Sequence, residues 1–114
     1  MSVLSDRFNE YRVMWILVFF DIPTQTVKEK KDAAAFRKFL IKEGFTMLQY
    51  SVYVRHSMSW DNADVHTKRV KKYLPMYGNV CVVQLTDKQF GNMEMFTNAK
   101  PSPPPSGGIQ LELF

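Results

Sequence analysis

The sequence predicts an α+β fold of the ferredoxin-like type, β-α-β-β-α-β with an extra C-terminal strand, in a single domain. Three observations carry this. The chain has 114 residues, enough for one core. Its 46% hydrophobic and 14% aromatic content suits a packed globule rather than a disordered chain. Apolar runs of strand length alternate with two stretches of helical periodicity, and right-handed crossovers place both helices on one face of the sheet.

The first strand is "RVMWILVFF", residues 12–20, rich in β-branched and aromatic side chains and closed by "DIP". In the helix that follows, Thr26 and Glu29 have capping-box spacing and Gly44 suits the C′ position. Val27, Ala34, Phe36, Phe39 and Leu40 form its apolar stripe, with Lys28, Lys31, Lys38 and Lys42 elsewhere. "FTMLQYSVYVRH" reads as one long bent strand or as two. A second helix is expected with Asp61 as N-cap and Asp64 at N3. Val70, Tyr73 and Leu74 then face inward, Lys68, Arg69, Lys71 and Lys72 face outward, and Pro75 ends the helix. "NVCVVQLTD" is the next strand and "NMEMF" a short one.

The domain thus spans residues 12–97, after an N-terminal extension over 1–11. A Pro/Gly/Ser-rich linker over 98–108 leads to a terminal segment, 109–114. Ile109, Leu111, Leu113 and Phe114 make that segment a docking strand for a neighbouring sheet edge.

The first strand is apolar on both sides. Met14, Ile16, Val18 and Phe20 point one way, and Val13, Trp15, Leu17 and Phe19 the other. An antiparallel sheet with one wet face alternates polar and apolar residues instead. Helices on one face leave the other to be covered, and a homodimer stacked sheet to sheet is the simplest cover. The one cysteine, Cys81, allows no internal disulfide and lies in an apolar run that suggests burial, in keeping with a reducing compartment. The N-terminus lacks a secretory core, and the longest apolar run, Val13 to Phe20, is too short for a membrane span. A cytoplasmic protein without membrane contact is expected.

Asp21 is the leading chemical candidate. It is either a turn former before Ile-Pro or a functional carboxylate. In a sheet-stacked dimer two Asp21 side chains would approach one axis and share a Mg²⁺, a cation that takes one or two carboxylates and activates water toward a phosphodiester. His56 and His66 lack metal-ligand spacing and read as surface histidines. The net charge of +4 mildly favours an anionic partner, with phosphate contacts from the first-helix lysines and from "KRVKK" at 68–72. An RNA-recognition module shares this topology and would stack bases on Phe19, Phe20 and Tyr53, but "QYSVYVRH" lacks its Gly-aromatic pattern.

"VFFDIP", "FRKFLIKEGF" and "MLQYSVYVR" together resemble the small CRISPR-associated adaptation protein, the second core Cas protein, over about residues 12–96. The most specific feature is the strand-terminal Asp21 followed 28 residues later by "QYSVY". "KRVKKYLP", "LTDKQFGNMEMF" and the Pro-rich tail look like type II versions, II-C above all. The extension over 1–11 and the long linker depart from the usual family pattern.

The resemblance implies a ferredoxin-like homodimer and a Mg²⁺-dependent endonuclease, chiefly on single-stranded RNA and in some members on double-stranded DNA, with Asp21 as catalytic residue and metal ligand. It matches Arg37 to a basic helix position and Gln49, Ser51 and Tyr53 to the second motif. It also implies a bridge between two CRISPR integrase dimers in a heterohexameric complex that inserts foreign DNA as spacers, where Asp21 need not act. Lys28, Lys31, Arg37 and Arg55 are the expected nucleic-acid contacts.

Overall fold

The computed structural model describes residues 13–103. The N-terminal extension, residues 104–108 of the expected linker and the docking residues Ile109, Leu111, Leu113 and Phe114 lie outside the described residues. The elements are β1 (Met14–Asp21), α1 (Val27–Lys42), β2 (Thr46–Gln49), β3 (Val52–Ser57), α2 (Trp60–Lys72), β4 (Asn79–Thr86), α3 (Asp87–Gly91), β5 (Met95–Thr97) and β6 (Lys100–Ser102).

A four-stranded sheet has the order β2-β3-β1-β4, with every neighbouring pair antiparallel. This is the ferredoxin-like arrangement that the order of apolar runs predicts, with β2 and β3 as two separate strands. β1 lies inside the sheet, and its whole length from Met14 to Asp21 pairs with Thr86 to Asn79 of β4. Both of its hydrogen-bonding edges are thereby used, which is where an apolar β-branched run is stable.

Met14, Ile16, Val18 and Phe20 of β1 pack under the two long helices with Phe36, Leu40, Ala63 and Val70. α1 begins as its sequence dictates. Thr26 accepts from the Glu29 N–H at 3.0 Å while Glu29 accepts from the Thr26 N–H at 2.9 Å. It ends in a Schellman motif, in which the Gly44 N–H donates to Ile41 and that of Phe45 to Leu40. Gly44 has φ +95°, and an added Cβ would run into the Arg55 guanidinium. In the stripe itself Ala33 takes the buried place, while Val27 and Ala34 are exposed.

α2 differs from expectation at both ends. Its N-cap is Ser59, extended at φ −160° and ψ 167°, with its side chain accepting from the Asn62 N–H. Asp61 lies inside the first turn, where the helix dipole favours a carboxylate. Val70 is buried, but the helix stops at Lys72, so Tyr73 and Leu74 leave the inward stripe and are exposed.

On the opposite side of the sheet Trp15, Leu17 and Val54 form a second buried cluster with Phe90. Phe90 belongs to α3, a short helix that the sequence pattern does not announce. A capping box between Thr86 and Gln89 starts it. The Phe90 ring stacks on Trp15 at 4.1 Å, and Trp15 Nε1 donates to Asp87 Oδ1 at 2.7 Å. The second face is therefore covered by its own chain along the first half of β1, which corrects the expectation of helices on one face only. Among the described residues the cover ends beyond the reach of α3. Phe19 is 39% exposed, and Cys81, its partner across β1 and β4, is exposed rather than buried.

The expected linker also begins later than residue 98. β6 pairs with β5 in a separate two-stranded hairpin, turned by Asn98 and Ala99 at φ 54° and 65°. Positive φ at both central residues marks a type I′ turn, whose twist suits a tight hairpin. No helix among the described residues is long and apolar enough to cross a membrane.

Replacing Phe90 removes the lid from Trp15. Phe90→Ala is expected to lower stability by about 3 kcal/mol, as for a large aromatic removed from a packed site. Urea unfolding checks this, and a loss below about 1 kcal/mol would show that α3 is not integral to the core.

Candidate functional site at the end of the central strand

Side chains alternate along β1, so Asp21 shares a face with Trp15, Leu17 and Phe19, away from α1 and α2. It stands opposite Asn79 at the start of β4. On the other flank is the turn joining β2 to β3, after a register shift between Met47 and Gln49. Ser51 in that turn has φ 64°, and its carbonyl accepts from the Phe20 N–H at 3.0 Å. This bond draws the turn against the end of β1. Phe19, Asp21, Tyr50, Ser51, Asn79 and Cys81 then line an open cleft of about 390 Å³.

The two halves of the sequence motif, Asp21 and "QYSVY", therefore meet in space. Tyr50, Ser51 and Val52 line the cleft, whereas Tyr53 points into the core and lies near-parallel to Phe20 at 5.6 Å. Burial of Tyr53 and Phe20 also removes two of the three aromatics that an RNA-recognition sheet would offer to bases.

Two contacts hold the site in place. Gly78 adopts φ +93° against the "DIP" turn, and a Cβ there would stand 2.4 Å from the Asp21 carbonyl oxygen. Arg37 Nη2 donates to the Tyr50 hydroxyl at 3.2 Å, and its guanidinium lies 5.2 Å from the Tyr50 ring and 5.7 Å from that of Phe20. Arg37 thus clasps the turn to α1 through cation–π contacts with both rings.

The Asp21 carboxylate is exposed and makes no hydrogen bond or ion pair among the described residues. No group of three His, Cys, Asp or Glu side chains converges there or elsewhere among the described residues. One open carboxylate is the least that a Mg²⁺ keeping most of its waters requires.

Of the remaining expected contacts, Lys28 and Lys31 are exposed on α1 beside Met76 and Tyr77. Arg55 faces the helices instead, because strand alternation puts it on the side of Tyr53. Its guanidinium donates to the Glu43 main-chain carbonyl, and its Nε is buried without a partner among the described residues. Burial lowers its pKa, with Glu43 opposing. Arg55 braces the end of α1, a different role from the nucleic-acid contact expected of it.

The histidines are half-buried rather than free surface residues. His56 lies 5.4 Å from the Trp15 ring, and burial pushes its pKa below 6.5, helped by Arg55 and opposed by Asp87. His66 Nδ1 meets Glu43 Oε2 at 2.8 Å, both side chains being 13% exposed, and Arg69 Nη1 reaches the same oxygen at 2.9 Å. Burial alone would raise the Glu43 pKa, but the bonds and charges of His66 and Arg69 hold it below the ordinary 4.5. This triad needed the register between the helices, which no local motif announces.

Gly78→Ala combines positive φ with a backbone clash, so it is expected to cost more than about 1 kcal/mol. It should also shift the amide resonances of Asp21 and Ile22. A silent spectrum would show that the loop does not position the carboxylate. Glu43 titrates lower in the fold than in the open chain, so its contribution is present above pH 4.5 and lost as pH falls through the folded value. Acid unfolding of Glu43→Gln, compared with the parent, should lack that share of the pH dependence.

Comparison with known proteins agrees with these features. The family model for CRISPR associated protein Cas2 matches residues 14–93. A CRISPR-associated endoribonuclease Cas2 of Flavobacterium psychrophilum is 54% identical over 108 residues, covering 95% of this chain and 94% of that protein. Its counterpart in Parvibaculum lavamentivorans is 46% identical over 101 residues, covering 89% of this chain and all of that one. A crystal structure of cas2 aligns with a TM-score of 0.54 at 17% identity, over 81% of this chain and 93% of that one, a likeness of fold. The open carboxylate at the end of β1, the turn clasped beside it and these matches lead to one conclusion: the chain belongs to the CRISPR-associated Cas2 family.

Proposed function

We propose that this protein is a homodimeric CRISPR adaptation factor that bridges integrase dimers and supports integration of foreign double-stranded DNA as spacers, with Asp21 as a Mg²⁺ ligand. The observation that carries this reading is the uncovered half of the second sheet face. Phe19 and Cys81 are exposed at the same end of β1 that presents Asp21. Pairing two copies through that face would remove Phe19 from water and bring two Asp21 carboxylates toward one axis. Only 39% of Phe19 remains exposed, so removing it from water contributes about 1 kcal/mol per copy at most, and the pairing needs the neighbouring apolar surface as well.

In this reading Lys28 and Lys31 hold DNA phosphates as exposed, flexible cations. Arg37 acts through Tyr50, keeping the turn against Asp21. Ile109, Leu111, Leu113 and Phe114 dock on the integrase or on the dimer mate by strand addition.

A second reading has its own support. The relatives carry the name endoribonuclease, and Asp21 is unencumbered among the described residues. In this reading the protein is a metal-dependent nuclease on single-stranded RNA. Bound Mg²⁺ would supply Lewis acidity and a water of lowered pKa. Asp21 anchors the ion, and the surface lysines attract the phosphate chain.

Asp21→Ala separates the two. Spacer acquisition in cells is expected to persist while Mg²⁺-dependent cleavage of RNA falls to background. Removal of residues 104–114, or Lys28→Gln with Lys31→Gln, is expected to abolish or sharply reduce acquisition. Loss of acquisition in Asp21→Ala with folding and assembly intact would overturn the bridging role in favour of catalysis.

A further inference from the structure

The helical side of the molecule carries a second concavity, remote from the uncovered sheet face. It is a groove of about 830 Å³ between α1 and α2, of a size that takes a nucleotide. Lys38, Phe39 and Lys42 form one wall, and Arg69, Lys72 and Tyr73 the other, with Glu43 at the base. Four cations face one carboxylate, and that carboxylate is already engaged by His66 and Arg69. Lys38, Lys42 and Lys72 are exposed and make no ion pair among the described residues.

An aromatic surface lies among these charges. The Phe39 and Tyr73 rings are stacked at 4.5 Å with 24° between their planes. Phe39 is half-buried against the core, whereas Tyr73 is 61% exposed, so one ring face rests on Phe39 and the other is open. Lys42, Arg69 and Lys72 stand in last helical turns, where the helix dipole favours cations. That accounts for their charge but not for Lys38, a turn earlier, nor for the open ring between them.

Cations spaced along a groove bind phosphates of any nucleic acid. A free aromatic face selects a strand whose bases are unpaired, because a duplex keeps its base faces stacked inside. We propose that the α1–α2 groove is a binding site for single-stranded nucleic acid, with phosphates on Lys38, Lys42, Arg69 and Lys72 and an unpaired base on Tyr73. It would engage a frayed end or an RNA segment while the Asp21 side is otherwise occupied. The site uses neither Asp21 nor the Lys28 and Lys31 of the bridging reading; its cations are among those the sequence already offers to phosphates, and the base on Tyr73 is what the groove adds.

Fluorescence anisotropy with the full chain tests this, using labelled dT12, labelled U12 and a labelled duplex of the same length. Tyr73→Leu keeps apolar packing on Phe39 but removes the stacking face. It is expected to weaken single-strand binding about tenfold and to leave duplex binding unchanged. Tyr73→Phe, which restores a ring, should bind like the parent and controls for folding. Lys38→Gln with Lys42→Gln should weaken binding and flatten its salt dependence by about 0.7 in log–log slope for each phosphate left without its lysine. Asp21→Ala should leave these affinities unchanged, so failure at the cleft and failure at the groove are told apart. Unchanged single-strand affinity in Tyr73→Leu, or an equal loss for duplex and single strand, would overturn the proposal.

Discussion

β1 carries apolar side chains on both faces, and the rest of the molecule is arranged around the need to keep both from water. One face is met by α1 and α2, which close over Met14, Ile16, Val18 and Phe20. The other is met only in part. α3 folds back to set Phe90 on Trp15, and Asp87 supplies the acceptor that the buried indole N–H requires. Among the described residues the cover stops before Phe19, at the end of the strand where the backbone delivers Asp21. The exposed apolar surface and the open carboxylate are two results of one boundary, and the proposed dimer is a way of closing the first while using the second.

Positive charge is divided between two tasks. Both arginines that the resemblance and the strand pattern offered for nucleic acid have structural partners. Arg37 lies against the rings of Tyr50 and Phe20, and Arg55 satisfies a main-chain carbonyl at the end of α1. A planar, weakly hydrated guanidinium tolerates such partly buried positions better than an ammonium. The lysines of α1 stay in solvent, as a compact and strongly hydrated charge prefers, and remain available to a polyanion.

Much of this architecture was legible in the residues. The capping box at Thr26 and Glu29 and the glycine at position 44 fixed α1, because both signals act within a few residues. Asp21 and "QYSVY" were legible as the two halves of a family pattern, but their meeting in space rests on the pairing of β1 with β3 and on the Ser51 carbonyl. What escaped depended on distant partners. α3 is only five residues long, and its justification is a ring on Trp15, far earlier in the chain. Arg55 reads as a surface cation until alternation along β3 is combined with the position of the α1 terminus. Tyr73 continues the apolar stripe of α2 on paper, but the helix ends one residue before it.

The exposed half of the second sheet face, as an interface between two copies of the chain, bears most of the weight in the proposed role. Light scattering of the full-length protein at micromolar concentration measures this directly. A mass twice that of the chain is predicted, falling to the chain mass in Phe19→Glu with the fold intact. A stable monomer in the parent protein, or a dimer indifferent to Phe19→Glu, would contradict it.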